Sequence, residues 1–260
     1  MTTISDLKEK PHWSYTALNT YLQCPRKYAL RYIEHAPIER IGVCFPFGRA
    51  FHAVLSARAI QGDDLTLEEA KESFSGIFKA ETEAAGPALS YKAEESYDGC
   101  ISKAGEMLTV AFENWQDDYG VKSVAESFSV TIPGVERPLI GEFDLVVEEQ
   151  EPCIVDWKTS SSRWPMGKAD YERQASAYCY AYRARYRRNP LFRYDVITKS
   201  KQPQFGSWYT IRNEDELARF EELCRQVDRC VNAGVFYRNE SQMNCADCPY
   251  RNQCRNGGAK

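Results

Sequence analysis

Acidic, basic and amide side chains recur at short spacings in the middle of this chain. The segment IVDWKTS places Asp156 and Lys158 two residues apart at the end of an apolar stretch. Since side chains alternate between the two faces of a strand, both should point the same way. Glu142 and Asp144 share a face of the preceding strand by the same rule. Two adjacent strands would therefore bring Asp144, Asp156 and Lys158 to one edge of a sheet.

These side chains suit a divalent metal and a reacting phosphate. Carboxylates that lie close together repel each other unless a cation lies between them, and oxygen ligands suit Mg²⁺ or Mn²⁺. A lysine beside the metal can orient or deprotonate an attacking water, or stabilise charge that develops on the phosphate. On its own, however, a D-x-K triplet is more often an ordinary surface ion pair.

Two pairs of residues at helical spacing strengthen the metal interpretation. In GRAFH, Gly48 and His52 share one helix face, where a glycine lets another backbone come close and the imidazole can offer a nitrogen to a metal. A lone histidine is nevertheless more often structural. In QASAY, Gln174 and Tyr178 can hold a phosphate, a base or a loop. Taken alone, that pair describes a half-buried helix face.

The elements that must position these residues alternate between helices and strands. Ser14 is a suitable N-cap, and Pro25 suits the first turn of a second helix. We predict helices over residues 14–35 with a break at Cys24 and Pro25, 47–61, 66–119 with an interruption at 84–92, 169–187 and 213–232. Strands are predicted within 123–134, 137–160 with a turn at 148–152, 192–200 and 207–212. The expected fold class is α/β, a small mixed sheet with helices before and after it.

Bulk properties exclude some classes of protein. The 260 residues carry 33 Lys and Arg against 37 Asp and Glu, a formal net charge of −4, which argues against coating nucleic acid by bulk positive charge. The basic run RARYRR at 183–188 is typical of a solvated helix face. No apolar run is long enough to cross a membrane, and the N-terminus has no signal-like stretch. We therefore expect a cytoplasmic protein without membrane contact. The sequence contains no P-loop, so ATP is not expected to bind.

Ten cysteines are many for a chain in a reducing compartment. Three fall within ten residues, in CADCPYRNQC at 245–254, and such clustering indicates a metal site. Thiolate tetrads hold zinc or an iron–sulfur cluster equally well on geometry alone. Cys153 and Cys179 lie in apolar stretches and are expected to be buried.

The order G-x-x-x-H, G-x-x-D, D-x-K and Q-x-x-x-Y resembles the RecB-like branch of the PD-(D/E)xK nuclease superfamily. The N-terminal SYTALNTYLQCPRKY is similar to the opening of its iron–sulfur members, among them CRISPR-associated exonucleases and the AddB nuclease domain. Asp156 stands where the family name has glutamate, which is common in this branch. The similarity spans residues 14–254.

The resemblance implies a restriction-endonuclease-like core in a single nuclease domain, 1–260. Residues 1–120 would form an N-terminal helical region, 121–212 the catalytic core, and 213–260 a C-terminal helix with the cysteine cluster. The implied site residues are His52, Asp144 and Asp156 as ligands of Mg²⁺ or Mn²⁺, the Trp157 carbonyl as a further ligand, Lys158 as the catalytic lysine, and Gln174 and Tyr178 as supports that contact DNA. A structural 4Fe–4S cluster, with zinc the less favoured occupant, would be held by Cys24, Cys245, Cys248 and Cys254 and would join the two ends of the chain.

The function implied is a metal-dependent DNA exonuclease that acts on single strands or frayed ends, in recombination, repair or CRISPR adaptation. Helicases or CRISPR adaptation proteins would be its partners. Two alternatives remain: a non-catalytic DNA-end-binding subunit of a larger complex, and a zinc-stabilised RNA-binding protein. Trp164, Tyr171 and Tyr182 could stack on unpaired bases, and core packing explains each of them at least as well.

Overall fold

A computed structural model of the chain describes residues 3–116, 120–148 and 150–256. The helices in these ranges are α1 (Ile4–Lys8), α2 (Tyr15–Gln23), α3 (Pro25–Tyr28), α4 (Cys44–Gln61), α5 (Leu67–Ala85), α6 (Tyr97–Glu113), α7 (Lys168–Tyr171), α8 (Arg173–Tyr186), α9 (Glu214–Asn232), α10 (Gln242–Cys245) and α11 (Arg251–Asn256). The strands are β1 (Trp13–Ser14), β2 (Ile41–Gly42), β3 (Leu89–Ser90), β4 (Gly120–Val130), β5 (Leu139–Glu148), β6 (Pro152–Ser160), β7 (Leu191–Thr198) and β8 (Phe205–Ile211). A π-helical turn, Ala29–Ile33, continues α3.

Within the described ranges, six strands form one mixed sheet in the order β1-β5-β6-β7-β8, with β4 also paired to β5. The β4–β5, β5–β6 and β7–β8 pairs are antiparallel, whereas β1–β5 and β6–β7 are parallel. The short strands β2 and β3 pair separately. The connection between parallel strands β6 and β7 runs through α7 and α8, as a parallel crossover requires.

Helices cover both faces of the sheet, so the molecule has two apolar cores. The first core contains residues of α2, α8 and α9 packed on such sheet residues as Ile154 and Phe192. The second contains residues of α4, α5 and α6 packed on Leu145, Val155 and Trp157. The expected α/β class with a small mixed sheet flanked by helices is thus what the structure has. No helix in the described part of the chain is long and apolar enough to cross a membrane.

Local signals explain most element boundaries. The Ser14 side chain accepts a hydrogen bond from the Ala17 N–H and caps α2, and α3 begins at Pro25 as predicted. The prediction of one helix over 169–187 is wrong, because the backbone is extended at Glu172 and separates α7 from α8. Helix α4 begins at Cys44, three residues before its predicted start.

Strands β5 and β6 separate at the centre of the sheet. They pair from Glu148–Pro152 to Leu145–Val155, and beyond that point each continues without the other. Phe143 packs in the first core and Leu145 in the second, although residues two apart in a strand ordinarily share a face. The interruption falls on Asp144. The separation leaves room between the strands for polar side chains.

Candidate active site

Asp144, Asp156 and Lys158 meet where β5 and β6 separate. Lys158 Nζ lies 2.6 Å from Asp156 Oδ2, so the two side chains share a strand face as the alternation predicts. Asp144 Oδ2 accepts a hydrogen bond from the Trp157 backbone N–H at 3.1 Å, which ties the two strands together at this point. Asp156 is 2% exposed, whereas Lys158 is 30% exposed and reaches toward solvent.

The glycine of the G-x-x-D segment has a packing role. A Cβ on Gly141 would lie 2.4 Å from the Phe128 ring. That ring packs on Phe143 and Tyr178, with centroid distances of 4.6 and 5.5 Å. Gly141 therefore lets β4 place Phe128 under the site. The expected close approach at Gly48 is wrong, since nothing lies within 4 Å of a Cβ built there.

His52 reaches the site from α4, on the side of the second core. Its Nδ1 lies 3.2 Å from Asp144 Oδ2, and its ring contacts Trp157 edge-on. Burial alone would lower the pKa of His52, but the hydrogen bond and negative charge of Asp144 outweigh it and raise the pKa above its ordinary value. His52 thus contacts one of the predicted metal-binding acids.

Gln174 and Tyr178 reach the site from α8, on the side of the first core. Gln174 Nε2 donates a hydrogen bond to Asp156 Oδ1 at 2.6 Å. The Tyr178 ring is wedged among aromatic side chains, including Phe143 and Phe192. Burial raises the pKa of Tyr178, so its hydroxyl stays protonated. Gln174 therefore orients Asp156, and Tyr178 supports it through packing.

Asp156 is a buried carboxylate with a partner on each oxygen. Its Oδ1 accepts the hydrogen bond from Gln174, and its Oδ2 lies 2.6 Å from Lys158 Nζ. Burial raises the pKa of Asp156 to about 6; the positive charge of Lys158 opposes this shift and the negative charge of Asp144 adds to it. A carboxylate oxygen has two lone pairs, so Oδ2 can pair with Lys158 and still contact a cation.

The chemistry of this donor set fits a divalent cation. Asp144 and Asp156 offer carboxylate oxygens, His52 offers a nitrogen, and Asp156 Oδ2 has an acceptor position to spare. Their spacing is looser than a closed metal site: among the described residues, no three His, Cys, Asp or Glu side chains are close enough to hold an ion. Side-chain rotations would have to close the shell around a metal.

The four predicted cluster cysteines line one cavity of about 560 Å³. They are Cys24, at the break between α2 and α3, and Cys245, Cys248 and Cys254 from the C-terminal segment. Hydrogen bonds hold the two ends of the chain together: Asn239 Nδ2 donates to the Gln23 carbonyl at 2.7 Å and Arg26 N–H to the Tyr237 carbonyl at 3.0 Å. Four thiols around one cavity have the chemistry to hold a cluster or a zinc ion. Among the described residues, no three of these thiols are close enough together to hold an ion as they stand.

The remaining predicted residues fall into different environments. Tyr182 is 6% exposed and packs on Phe143, so of its two interpretations core packing is the one that the structure has. Tyr171 is 88% exposed, and Trp164 is half-buried against Tyr194. Cys153 and Cys179 are buried as predicted. The basic run at 183–188 makes ion pairs with acidic side chains of β4, β5 and α9, as a solvated helix face would.

Tyr194 is a site residue that the sequence did not reveal. It lies beside Asp156 in the register of the parallel strands β6 and β7, fully buried, with Lys158 Nζ 5.9 Å from its ring centroid. Burial raises the pKa of Tyr194, with the charge of Asp156 adding to the shift. The Tyr194 ring therefore packs beside the Lys158 ammonium. The position of Tyr194 beside Asp156 depends on the register of two strands, which a single sequence does not determine.

Comparison with known proteins places this geometry in a family. The sequence model of the PD-(D/E)XK nuclease superfamily matches residues 12–255. A search of curated proteins gives no match. The crystal structure of a candidate exonuclease from Eubacterium rectale is similar in fold, with a TM-score of 0.64, 12% identity, and coverage of 99% of this chain and 92% of that one. The structure of the protein SSO0001 matches with a TM-score of 0.38 and 13% identity, over 90% of this chain and 92% of that one.

Proposed function

Because this chain belongs to the PD-(D/E)XK nuclease superfamily, we propose that it is a metal-dependent deoxyribonuclease that removes nucleotides from single-stranded or frayed DNA ends. One observation carries the proposal: Asp144, Asp156 and Lys158 meet where β5 and β6 separate. Two carboxylates and a lysine at one point are what hydrolysis of a phosphodiester needs. A non-catalytic DNA-end-binding subunit would not need the lysine beside the acids.

Each side chain of the site has a separate task in this proposal. Asp144, Asp156 and His52 hold one Mg²⁺ or Mn²⁺, with the Trp157 carbonyl as a further ligand. When bound, the ion supplies Lewis-acid activation and neutralises charge on the phosphate. Lys158, which is partly exposed, orients the attacking water and takes up its proton or stabilises the charge on phosphorus. Gln174 donates to Asp156 Oδ1 and so would fix the orientation of that carboxylate as a ligand.

The preference for single strands is supported by one exposed aromatic ring. Tyr171 ends α7, one element after the strand that carries Asp156 and Lys158, and is 88% exposed. Such a ring can stack on an unpaired base whatever its identity. A base in a duplex presents only its edges in the grooves. Tyr171 is therefore the stacking residue of the proposal.

A 4Fe–4S cluster held by four cysteines is the second part of the proposal. The cavity that all four thiols line supports it, together with the hydrogen bonds that join residues 23–26 to 237–244. The cluster would be structural, because it closes a loop that spans nearly the whole chain. Zinc is the alternative occupant, and iron content distinguishes the two.

The domain and pathway assignments are also part of the proposal. Residues 1–260 act as one nuclease domain, with 1–120 as the helical region, 121–212 as the catalytic core and 213–260 as the C-terminal segment. The resemblance to CRISPR-associated exonucleases and to the AddB nuclease domain supports a place in CRISPR adaptation or DNA repair. A helicase or an adaptation protein would then be the partner.

A matched pair of lysine variants tests the proposed function. End-labelled single-stranded DNA is incubated with anaerobically purified protein and Mn²⁺ or Mg²⁺. Lys158→Ala should abolish metal-dependent loss of the DNA. Lys168→Ala should retain it, because Lys168 is a partly exposed lysine of α7 that pairs with Glu172. If the wild type binds the DNA and degrades none with either metal, the DNA-end-binding subunit is the better assignment.

A further inference from the structure

Arg212 is a buried arginine whose hydrogen bonds go mainly to backbone carbonyls. It follows β8 directly and is 3% exposed. Its Nη2 donates to the carbonyls of Ala169, Asp170 and Glu172 at 3.0, 3.1 and 3.1 Å. Its remaining donors reach the hydroxyls of Ser176 and Thr210 and the Ile211 carbonyl. One guanidinium thus joins the end of β8 to the break between α7 and α8.

Arg212 binds three carbonyls around the α7–α8 break, and two of them also accept a backbone hydrogen bond: Ala169 from the Glu172 N–H at 3.3 Å and Glu172 from the Ala175 N–H at 3.2 Å. The last carbonyls of any helix lack an intrahelical donor and carry partial negative charge. Helix α7 ends at Tyr171, and α8 begins at Arg173 without a side-chain cap. Thr210 adds a second contact between β8 and α7, since its hydroxyl donates to Asp170 Oδ1 at 2.8 Å. Arg212 therefore fixes where α7 stops and where α8 starts.

The start of α8 decides whether Gln174 can reach Asp156. Gln174 lies in the first turn of α8, two residues after Glu172, and donates to Asp156 Oδ1 at 2.6 Å. A first turn without a cap frays readily, and a shift of about 1 Å would break this bond. Ser176, also in that turn, accepts a hydrogen bond from Arg212 Nε at 2.9 Å. The guanidinium thus holds both the end of α7 and the first turn of α8.

We propose that Arg212 is a positioning residue for the metal-binding carboxylate: by fixing the α7–α8 break it holds Gln174 on Asp156 Oδ1 and so fixes the orientation of that carboxylate. The inference rests on the proposed function, because it takes Asp156 as a metal ligand. Arg212 touches neither the ion nor DNA in this scheme, and it acts through Gln174. Lysine cannot replace it, because one ammonium cannot contact four carbonyls and two hydroxyls at once.

Mn²⁺ binding, measured calorimetrically and by electron paramagnetic resonance on the full chain, tests the inference without a nuclease assay. The variants are Arg212→Lys, Gln174→Ala, the double variant and Asp156→Asn. Residues that orient metal ligands typically contribute about 10–100-fold in affinity. We expect Arg212→Lys to weaken Mn²⁺ binding about tenfold and Gln174→Ala at least as much. The double variant should be no weaker than Gln174→Ala alone, because the two residues act in series.

Arg193→Lys is the matched control. Arg193 is a buried arginine on the neighbouring strand β7, paired with Asp195 at 3.0 Å, and its change should cost stability while leaving Mn²⁺ affinity intact. If Arg212→Lys does not fold, Thr210→Val removes the contact with Asp170 and should weaken binding in the same direction. Unchanged affinity in Arg212→Lys, or losses that add fully in the double variant, would overturn the inference. A wild type without a Mn²⁺ site that depends on Asp156 would instead overturn the proposed metal site.

Discussion

Lys158 Nζ lies 2.6 Å from Asp156 Oδ2, and the two side chains differ sharply in exposure, 30% against 2%. The acid is held in the interior while the lysine bridges it to solvent. Burial of a carboxylate costs free energy unless the carboxylate is paired. Here the partner is Lys158, for which we also propose a catalytic role. The site is therefore expected to be locally unfavourable for stability.

Removal of the charge on Asp156 should stabilise the metal-free protein. Because the pKa of Asp156 is raised to about 6, the folded state binds a proton more tightly than the unfolded chain does. Its contribution to stability is fully present below the ordinary value of 3.8 and is lost as the pH rises through about 6. At pH 7.5 the free energy of unfolding of Asp156→Asn should therefore exceed that of wild type by on the order of 2 kcal/mol, and the variant should unfold at a higher temperature.

Thermal unfolding across pH checks this prediction. The advantage of Asp156→Asn should shrink as the pH falls from 7.5 to 5, because wild-type Asp156 then binds its proton. An advantage that stays constant across that range would contradict the assignment of the shift to Asp156.

Mn²⁺ should stabilise the wild type through Asp144. An ion that binds only the folded state adds about 2.7 kcal/mol at a hundred times its Kd. Asp144→Asn should lose this stabilisation. Glu142→Gln is the matched control, since Glu142 is two residues away on β5 and pairs with Ser127 at 3.2 Å. Equal stabilisation of Asp144→Asn and wild type would remove Asp144 from the metal site.

The cysteine cavity should hold iron. Protein purified without oxygen is expected to be brown, with about four irons per chain, and Cys248→Ser should lose most of the iron and unfold at a lower temperature. Cys44→Ser should change neither property, because Cys44 is an exposed cysteine outside the cavity. A colourless protein with one zinc per chain would replace the cluster with a zinc site.

Tyr171 should contribute to binding of single strands. Loss of one base–aromatic stack typically costs about 1–3 kcal/mol, so Tyr171→Ala should weaken binding of a labelled oligothymidylate, measured by fluorescence anisotropy, by about fivefold or more. Tyr209→Ala is the control, since Tyr209 is also an exposed tyrosine. It lies on β8 opposite Arg193 of β7, and Arg193 lines the other side of the sheet. Equal losses in the two variants would argue against a specific stack.

Short-range sequence patterns predicted the parts of the site that follow from periodicity. Alternation along β6 placed Asp156 and Lys158 together, and helical spacing placed Gln174 and Tyr178 on one face of α8. The class of fold followed from the same periodicities, since each element carries its own apolar pattern.

Features that depend on tertiary contacts could not be predicted in this way. The break at Glu172 has no Gly or Pro to mark it, and the side chain that binds the carbonyls around it, Arg212, lies about forty residues later in the sequence. The sequence pattern does not distinguish Tyr182 from an aromatic residue on the surface. Only its packing on Phe143 shows that it belongs to the core. The separation of β5 from β6 likewise depends on a tertiary contact, because the Trp157 N–H donates to the Asp144 side chain rather than to a neighbouring backbone carbonyl.

The most direct test of the account is the product distribution from single-stranded DNA labelled at either end, with Mn²⁺, wild type and Asp156→Asn. The account predicts that the wild type releases labelled mononucleotides or short oligonucleotides from one end first, and that Asp156→Asn releases none. Internal fragments without end preference would contradict the exonuclease assignment. Equal degradation by wild type and Asp156→Asn would contradict the proposed active site.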